Sequence, residues 1–357
     1  MSDVLVYLGT YTEKRPDGGG SKGIYRATLD QATGKLGPIT LAAELENPSF
    51  LAVSRDRRFL YAASEMANGA VAAYSIGAGD RLTLLNKVSS LGADPCHVNV
   101  ARSGRTVAVA NYSSGSTVSF RANADGSLGK ATRDVHAGHG PNAERQKDPH
   151  AHSVDFSPDD SLLLSCDLGA DRVFMYRHDA ETGAITPHSP AFVGLEPGSG
   201  PRHLALHPSG KYAYVIAELA NSICAFAWSA KAGTLRQMQT ISTLPFGYKE
   251  PSSTAEIVVH PTGRFVYGSN RGHDSIASFA VDAKDGRLTF LAHTPTGGKA
   301  PRSVAIDPSG RWLIAANQLT DSLVSFAIDA TTGKLTPTGA TAALPRPVCV
   351  LFVPPAR

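Results

Sequence analysis

Residues Gly200 to Trp228 read GPRHLALHPSGKYAYVIAELANSICAFAW, and a closely similar segment, APRSVAIDPSGRWLIAANQLTDSLVSFAI, begins at Ala300. Each contains a short apolar run, a Pro-Ser-Gly turn, and two further runs rich in β-branched and aromatic residues. Weaker copies of this unit align on seven anchor positions, which are Pro48, Pro95, Ala151, Pro201, Thr254, Pro301 and Pro347. The anchors recur roughly every 50 residues, which is the period of a four-stranded propeller blade. The sequence therefore predicts an all-β fold, a seven-bladed β-propeller.

The two ends of the chain predict how the ring closes. The first predicted strand, Val4 to Leu8, matches the second strand of a repeat, so the first blade lacks a first strand of its own. The segment from Pro347 to Pro354 has the pattern of a lone first strand. If this strand completes the first blade, every blade has four strands, and the ring lacks the exposed edges that an open array of repeats would have. We expect residues 1–357 to form a single propeller domain.

The composition excludes several classes of protein. Of 357 residues, 42% are hydrophobic and only 18% are charged, which is the opposite of a disordered chain. The net charge of +3 is too small for a dedicated nucleic-acid binder, and no apolar stretch is long enough to cross a membrane. The four cysteines are far apart in apolar segments, and the N-terminus lacks a signal-like pattern. These features favour a cytoplasmic protein with reduced thiols, and no nucleic-acid or membrane partner.

Four residues depart from the repeat at equivalent positions. His152 and Arg202 directly follow an anchor, and Glu218 and Arg271 end the second strand of their blades, where most blades have small or neutral residues. The first strand of a blade begins on the face where the second strand ends, so all four should meet on one face. Arg202 and Glu218 should be direct neighbours. The cluster is a candidate active site, although a solvated or purely structural ion pair would give the same pattern.

Other residues on the same face are candidates for binding a substrate. Glu65 and Arg302 occupy the same two repeat positions in other blades. The two longest connections, residues 136–149 and 244–253, also belong to this face, and long loops on a rigid scaffold often carry binding residues. The substrate-binding candidates are Glu65, Lys147, His150, Tyr248, Lys249 and Arg302.

Histidines are frequent around the first of these loops, which raises the question of a metal. His150 and His152 would lie on one face of a strand. Acidic residues and cysteines do not occur at a recognised ligand spacing, and the HExxH, Walker A, Rossmann and GxSxG patterns are missing. We therefore expect neither a metal nor a cofactor.

The sequence resembles a known family at several places. YLGTYT at 7–12, AHSVDFSPD from Ala151 and GPRHLALHPSGKYAYVIAEL from Gly200 are similar to the seven-bladed β-propeller lactonases, which include bacterial 6-phosphogluconolactonases and fungal carboxy-cis,cis-muconate cyclases. The resemblance extends from Val4 to Pro354. It implies an active site of one histidine, two arginines and one glutamate, which here are His152, Arg202, Glu218 and Arg271.

The resemblance also implies a function. The first expectation is metal-independent hydrolysis of 6-phosphoglucono-1,5-lactone in the pentose phosphate pathway, by a monomeric enzyme that acts on a small-molecule substrate. Glu218 would be the general base and His152 the proton donor, or the reverse, while the arginines bind the carbonyl oxygen or an anionic group. Hydrolysis of another aldonolactone, muconate-type cycloisomerisation and a non-enzymatic platform for a protein partner are the alternatives.

Overall fold

The computed structural model describes residues 3–13 and 20–353, and in these residues the chain forms seven antiparallel sheets of four strands each. The predicted propeller is confirmed. Six of the seven anchors are the first residues of innermost strands, and Thr254 is the second residue of its strand. The innermost strand of each blade contacts the innermost strands of both neighbouring blades, so the seven sheets form a closed ring around a central channel.

Within each blade the four strands follow one another from the channel to the periphery, in the order in which they are named below. Blade 1 contains β28 (Pro347–Phe352), β1 (Val4–Thr10), β2 (Gly23–Leu29) and β3 (Thr40–Glu44); blade 2 contains β4 (Pro48–Val53), β5 (Phe59–Ser64), β6 (Ala70–Ile76) and β7 (Leu82–Ser89), with a 3-10 turn at Ala78–Asp80. Blade 3 contains β8 (Pro95–Val100), β9 (Thr106–Asn111), β10 (Ser116–Ala122) and β11 (Leu128–Val135); blade 4 contains β12 (Ala151–Phe156), β13 (Leu162–Asp167), β14 (Arg172–His178) and β15 (Ile185–Gly194). Blade 5 contains β16 (Pro201–Leu206), β17 (Tyr212–Ala217), β18 (Ser222–Ser229) and β19 (Thr234–Ser242); blade 6 contains β20 (Ser253–Val259), β21 (Phe265–Arg271), β22 (Ser275–Val281) and β23 (Leu288–Pro295). Blade 7 contains β24 (Pro301–Ile306), β25 (Trp312–Asn317), β26 (Ser322–Ile328) and β27 (Leu335–Ala343).

The C-terminal strand closes the ring, as the sequence predicts. β28 pairs with β1 in antiparallel register, with Val6 opposite Phe352 and Leu8 opposite Val350. Its other edge contacts the innermost strands of blades 2 and 7. Blade 1 therefore consists of strands from both ends of the chain, and the inner edge of β1 is covered by β28.

Neighbouring blades are joined by apolar packing and by a repeated hydrogen bond. The core lies between the faces of adjacent sheets, where Val215 and Phe226 of blade 5 pack against Leu164 of blade 4. The buried hydroxyl of Tyr214 donates a 2.8 Å hydrogen bond to the carbonyl oxygen of Gly286, in the hairpin turn of the next blade. Gly286 has a φ of +75°, and a Cβ there would collide with a tyrosine ring. Glycine is thus needed at this turn position because the backbone is left-handed there and because there is no room for a side chain.

Candidate active site

A β-bulge at the start of the innermost strands presents side chains to the channel mouth. In blades 4 and 5 the pairing with the second strand shifts by one residue, between Ala151 and Ser153 and between Pro201 and His203. The residues left out of the register are His152 and Arg202. A bulge changes the direction of a side chain and occurs often beside active sites. This irregularity is what brings the predicted residues into the mouth.

Glu218, the residue directly after the second strand of blade 5, is the centre of the cluster. Its Oε2 accepts a hydrogen bond from Nε of Arg202 at 2.9 Å and lies 3.0 Å from Nη2 of Arg271. Its Oε1 accepts a 2.8 Å hydrogen bond from Nη2 of Arg145. Burial alone would raise the pKa of this carboxyl, but the charges of the three arginines, Arg271 foremost, lower the pKa to about 2. Glu218 is therefore ionised at neutral pH and contacts three guanidinium groups.

His152 lies beside this carboxylate without a direct hydrogen bond to it. Its Nε2 is 4.0 Å from Oε2 of Glu218, and its Nδ1 is 3.6 Å from the thiol sulfur of Cys96. The imidazole is buried. Burial first, and the nearby positive charge of Arg202 second, lower the pKa of His152 well below its usual value of 6.5. At neutral pH the ring is uncharged and able to accept a proton.

Arg202 is also held by His203, which is in turn hydrogen-bonded to Glu256. Its Nη1 donates to the carbonyl oxygen of Ala255 at 2.6 Å and to Nε2 of His203 at 3.1 Å. Because a guanidinium can only donate, Nε2 of His203 must accept and Nδ1 must carry the proton. That Nδ1 donates to Oε1 of Glu256 at 2.7 Å. Neither His203 nor Glu256 was predicted from the repeat.

The channel below the cluster contains a further carboxyl. A cavity of about 430 Å³ lies between the innermost strands, and its polar lining includes His97, Asp155, His203 and Glu256. Burial raises the pKa of Glu256 to about 7. Burial, with a contribution from Glu256, raises the pKa of Asp155 to about 8. Oδ1 of Asp155 accepts a hydrogen bond from Asn99, whereas Oδ2 is shielded from solvent and has no partner in the described part of the chain.

Glu65 and Arg302 lie on the other side of the same mouth. The hydroxyl of Tyr11 donates to both carboxylate oxygens of Glu65 at 2.9 Å, and Nη2 of Arg302 is 3.9 Å from Oε2. The guanidinium of Arg302 also lies 5.3 Å from the centre of the Tyr11 ring. The two predicted residues thus form an ion pair at the position expected for them.

The loop candidates are less closely connected to the cluster. His150 donates from Nδ1 to the carbonyl oxygen of Tyr112 at 3.0 Å and stacks on its ring. Tyr248 packs edge-on against His273, with ring centres 4.8 Å apart. Lys147 and Lys249 are exposed, and within residues 3–13 and 20–353 they have no hydrogen bond or ion pair to the cluster.

Arg145 is the residue of the cluster that the sequence did not indicate. It lies in the loop that contains Lys147, and it binds both Glu218 and, at 3.2 Å, the hydroxyl of Tyr112. Loop residues have no equivalents in the other blades, so comparison of the repeats carries no information about them. The only signal was the length of the loop.

The histidines of this region belong to separate hydrogen-bond networks. His136 is buried, donates from Nδ1 to Asp167 at 2.6 Å, and its Nε2 lies 2.8 Å from the hydroxyl oxygen of Tyr176, which donates to Asp134. Across the described residues, no group of three or more His, Cys, Asp or Glu side chains is arranged to hold a metal ion. A helix of the length and apolar character needed to cross a bilayer is likewise not found in the described part.

Comparison with known proteins gives consistent results over the whole chain. The family model for "Lactonase, 7-bladed beta-propeller" matches residues 5–352. A 6-phosphogluconolactonase of Bacillus subtilis is 40% identical over 357 residues, covering 99% of each chain. A 6-phosphogluconolactonase of Formosa agariphila is 34% identical, covering 84% of this chain and 85% of its own. The solved structure of a periplasmic gluconolactonase of Pseudomonas aeruginosa superimposes with a TM-score of 0.92 at 34% identity, covering 99% of each chain.

Proposed function

The chain belongs to the seven-bladed β-propeller lactonase family, and on this basis we propose that it hydrolyses 6-phosphoglucono-1,5-lactone to 6-phosphogluconate, a step of the pentose phosphate pathway. It is a hydrolase of the lactonase type. The observation that supports the reaction most directly is the buried Glu218 carboxylate, with three arginines around it and a neutral imidazole 4.0 Å away. These groups are suited to hold a carbonyl and to move a proton next to it.

The charge of the mouth favours an anionic substrate. Four guanidinium groups face two carboxylates, those of Glu218 and Glu65. The remaining positive charge lies in a low-dielectric cleft, where it attracts anions more strongly than it would in water. A lactone that carries a phosphate fits this field better than a neutral sugar lactone.

Hydrolysis requires one proton to be taken from water and one to be given to the ring oxygen. We assign both transfers to His152. Its neutral ring accepts a proton from the water whose oxygen bonds to C1 of the lactone, while guanidinium N–H groups stabilise the negative carbonyl oxygen. The bond between C1 and the ring oxygen then breaks, and the imidazolium returns its proton to that oxygen. The carboxylic acid formed at C1 loses its proton to solvent.

Glu218 is less suited to act as the base. Its two oxygens already accept from three arginines, and its pKa of about 2 makes it a weak proton acceptor. Its role in this proposal is to fix the orientation of Arg202 and Arg271. The sequence predicts that Glu218 and His152 divide the base and acid roles between them. The geometry favours a different arrangement, in which His152 is base and acid in turn.

A neutral aldonolactone is the second candidate substrate, because the Pseudomonas aeruginosa neighbour is a gluconolactonase. The two candidates are separated by following acid release from freshly prepared 6-phosphoglucono-1,5-lactone and glucono-1,5-lactone against the spontaneous rates. The same assay is repeated with a chelator and with His152→Ala. We expect rapid, chelator-insensitive hydrolysis that prefers the phosphorylated lactone and is lost in the variant. Equal acceleration of both lactones would favour the neutral substrate, and no acceleration of either would refute the proposal.

We further propose that the protein works as a monomer in the cytoplasm. The four cysteines are buried and unpaired, which is usual in a reducing compartment. All seven predicted first strands are paired within one ring, so the fold needs no second copy to complete it. Size-exclusion chromatography with light scattering tests the first point, and fractionation of cells that produce the protein tests the second.

A further inference from the structure

We propose that Arg145 binds the phosphate group of the substrate and so determines the preference for a phosphorylated lactone. This inference rests on the proposed function, and it assigns the anionic end of the substrate to one residue. The residue lies outside the cluster that the family pattern indicates.

Arg145 differs from the other two arginines on Glu218 in its exposure. The exposed fraction of its side chain is 41%, against 2% for Arg202 and 19% for Arg271. Only Nη2 is engaged, with Glu218 and Tyr112. A guanidinium has five N–H donors, and those on Nε and Nη1 of Arg145 have no acceptor among the residues that the structure describes. They are available to an incoming anion.

The loop that carries Arg145 is fixed on both sides of it. The next residue, Gln146, is completely buried, and its amide donates to the carbonyl oxygen of Leu168 at 2.9 Å and to Asp171 at 2.7 Å. Asn142 caps the turn before Arg145 by accepting from its backbone N–H at 3.1 Å. Arg145 is therefore held over the mouth before a ligand arrives, which lowers the entropic cost of binding.

The position also suits the shape of the substrate. The reacting carbonyl must reach the buried His152 and Arg202, and the phosphate is on C6, a rotatable arm outside the ring. This arm can extend toward solvent while the ring remains at His152, which brings the phosphate to the half-exposed Arg145. Arg302 is directed to Tyr11 and Glu65 on the other side, and the exposed Lys147 and Lys249 do not contact the cluster. A fork of N–H donors is well matched to phosphate oxygens.

The test compares Arg145→Gln and Arg145→Lys with the wild-type protein. The first quantity is the ratio of kcat/KM for 6-phosphoglucono-1,5-lactone to that for glucono-1,5-lactone, in which any change in the chemical step cancels. The second is the affinity for inorganic phosphate, measured by titration calorimetry. The matched control is Arg105→Gln, an exposed arginine paired with Glu181 in a turn on the opposite face.

We expect Arg145→Gln to lower the ratio by about 10- to 100-fold, the effect of losing charge-assisted hydrogen bonds to an anion. The ratio for Arg145→Lys should lie between those of the wild type and Arg145→Gln, because lysine keeps the charge but lacks the forked N–H donors of a guanidinium. Phosphate affinity should fall in parallel, and the control should change neither quantity. An unchanged ratio with unchanged phosphate affinity would overturn the assignment. If the wild-type protein does not hydrolyse the phosphorylated lactone, the proposed function is wrong. The phosphate titration remains informative in that case, because equal affinity of wild type and Arg145→Gln would show that Arg145 does not bind phosphate.

Discussion

Nε of Arg202 donates a 2.9 Å hydrogen bond to Oε2 of Glu218, and both side chains are almost completely removed from solvent. The two residues are 16 positions apart and come from adjacent strands of one blade. A buried ion pair costs desolvation of both charges, so it is stable only when further hydrogen bonds satisfy the remaining atoms. Here those bonds come from Arg271 and Arg145 on the glutamate side, and from His203 and Ala255 on the arginine side.

Glu218→Gln should therefore damage both stability and activity. It leaves Arg202 with an uncompensated buried charge, for which we expect a loss of about 3–5 kcal/mol in the free energy of unfolding. Activity should fall by about 10²–10³ because the arginines lose their orientation. Denaturant unfolding and the lactonase assay measure the two effects. Glu181→Gln is the control, since it breaks an exposed arginine pair and should change stability by less than about 1 kcal/mol. Equal losses in both variants would contradict this prediction.

The pH dependence of kcat/KM should follow His152. The reaction as proposed needs the neutral ring, and burial beside Arg202 keeps its pKa well below 6.5. Activity is then fully present above that lowered pKa and is lost only as the pH falls through it. We expect a constant kcat/KM from about pH 8 to below 6.5, corrected for spontaneous hydrolysis. An acid limb centred at 6.5 or higher would show that another group, or a solvated histidine, controls the reaction.

Glu256 is expected to act through His203 on the position of Arg202. Glu256→Leu removes the acceptor for the buried N–H of His203, at a cost of about 1–3 kcal/mol in stability. Its kcat should fall as well, because His203 then no longer fixes the guanidinium. Glu256→Gln keeps an acceptor oxygen for His203 and should therefore retain most of the stability and most of the kcat of the wild type. Melting temperature and kcat are measured side by side, and equal behaviour of the two variants would exclude this positioning role.

The carboxyl of Asp155 should make the fold less stable in mild alkali. Its pKa is raised from 3.8 to about 8 by burial, so the folded protein binds this proton more tightly than the unfolded chain. Its contribution to stability is present below about pH 4 and is lost as the pH rises through about 8. Asp155→Asn should gain about 1–3 kcal/mol over wild type at about pH 9 and little at about pH 4, as measured by urea unfolding. A difference between the two proteins that does not change with pH would refute the shifted pKa.

Removal of β28 should unfold the whole ring. Deleting residues 347–357 exposes the inner edge of β1 and removes the buried side chains of Val348, Val350 and Phe352. We expect loss of the cooperative thermal transition and aggregation through the open edge. Deleting residues 354–357 alone is the control and leaves the strand in place. A soluble protein with an unchanged melting temperature after the longer deletion would contradict closure by this strand.

The repeat explains why so much was predictable. Each blade serves as a comparison for the others, so the strand order, the closure by β28 and the four departures from the pattern follow from the sequence alone. The proximity of Arg202 to Glu218 follows from the antiparallel pairing of the first two strands of the blade. The anchor at Thr254 is displaced by one residue from the start of β20, which is a small error for a position without proline.

The unpredicted features depend on contacts between blades or on loop conformation. The bulge at His152 and Arg202 follows the anchor residue, as it does in blades 2, 3 and 7, but the repeat pattern does not reveal that the pairing shifts there. His203 and Glu256 meet although they are 53 positions apart in different blades. Arg145 reaches Glu218 across 73 positions because buried Gln146 fixes its loop. Such distances are set by the closed ring, and local sequence patterns do not encode them.

The joining of both chain ends in blade 1 also matters for how the protein is made. β1 emerges from the ribosome well before its partner β28, because the other six blades and the rest of blade 1 lie between them in the chain. At about 5–20 residues per second, synthesis of the chain between them takes tens of seconds. Throughout that time the nascent chain carries one unpaired edge at β1 and another at its newest blade, both open to other chains. The ring can therefore close only once β28 has been synthesised, and until then the edge of β1 that β28 covers has no partner.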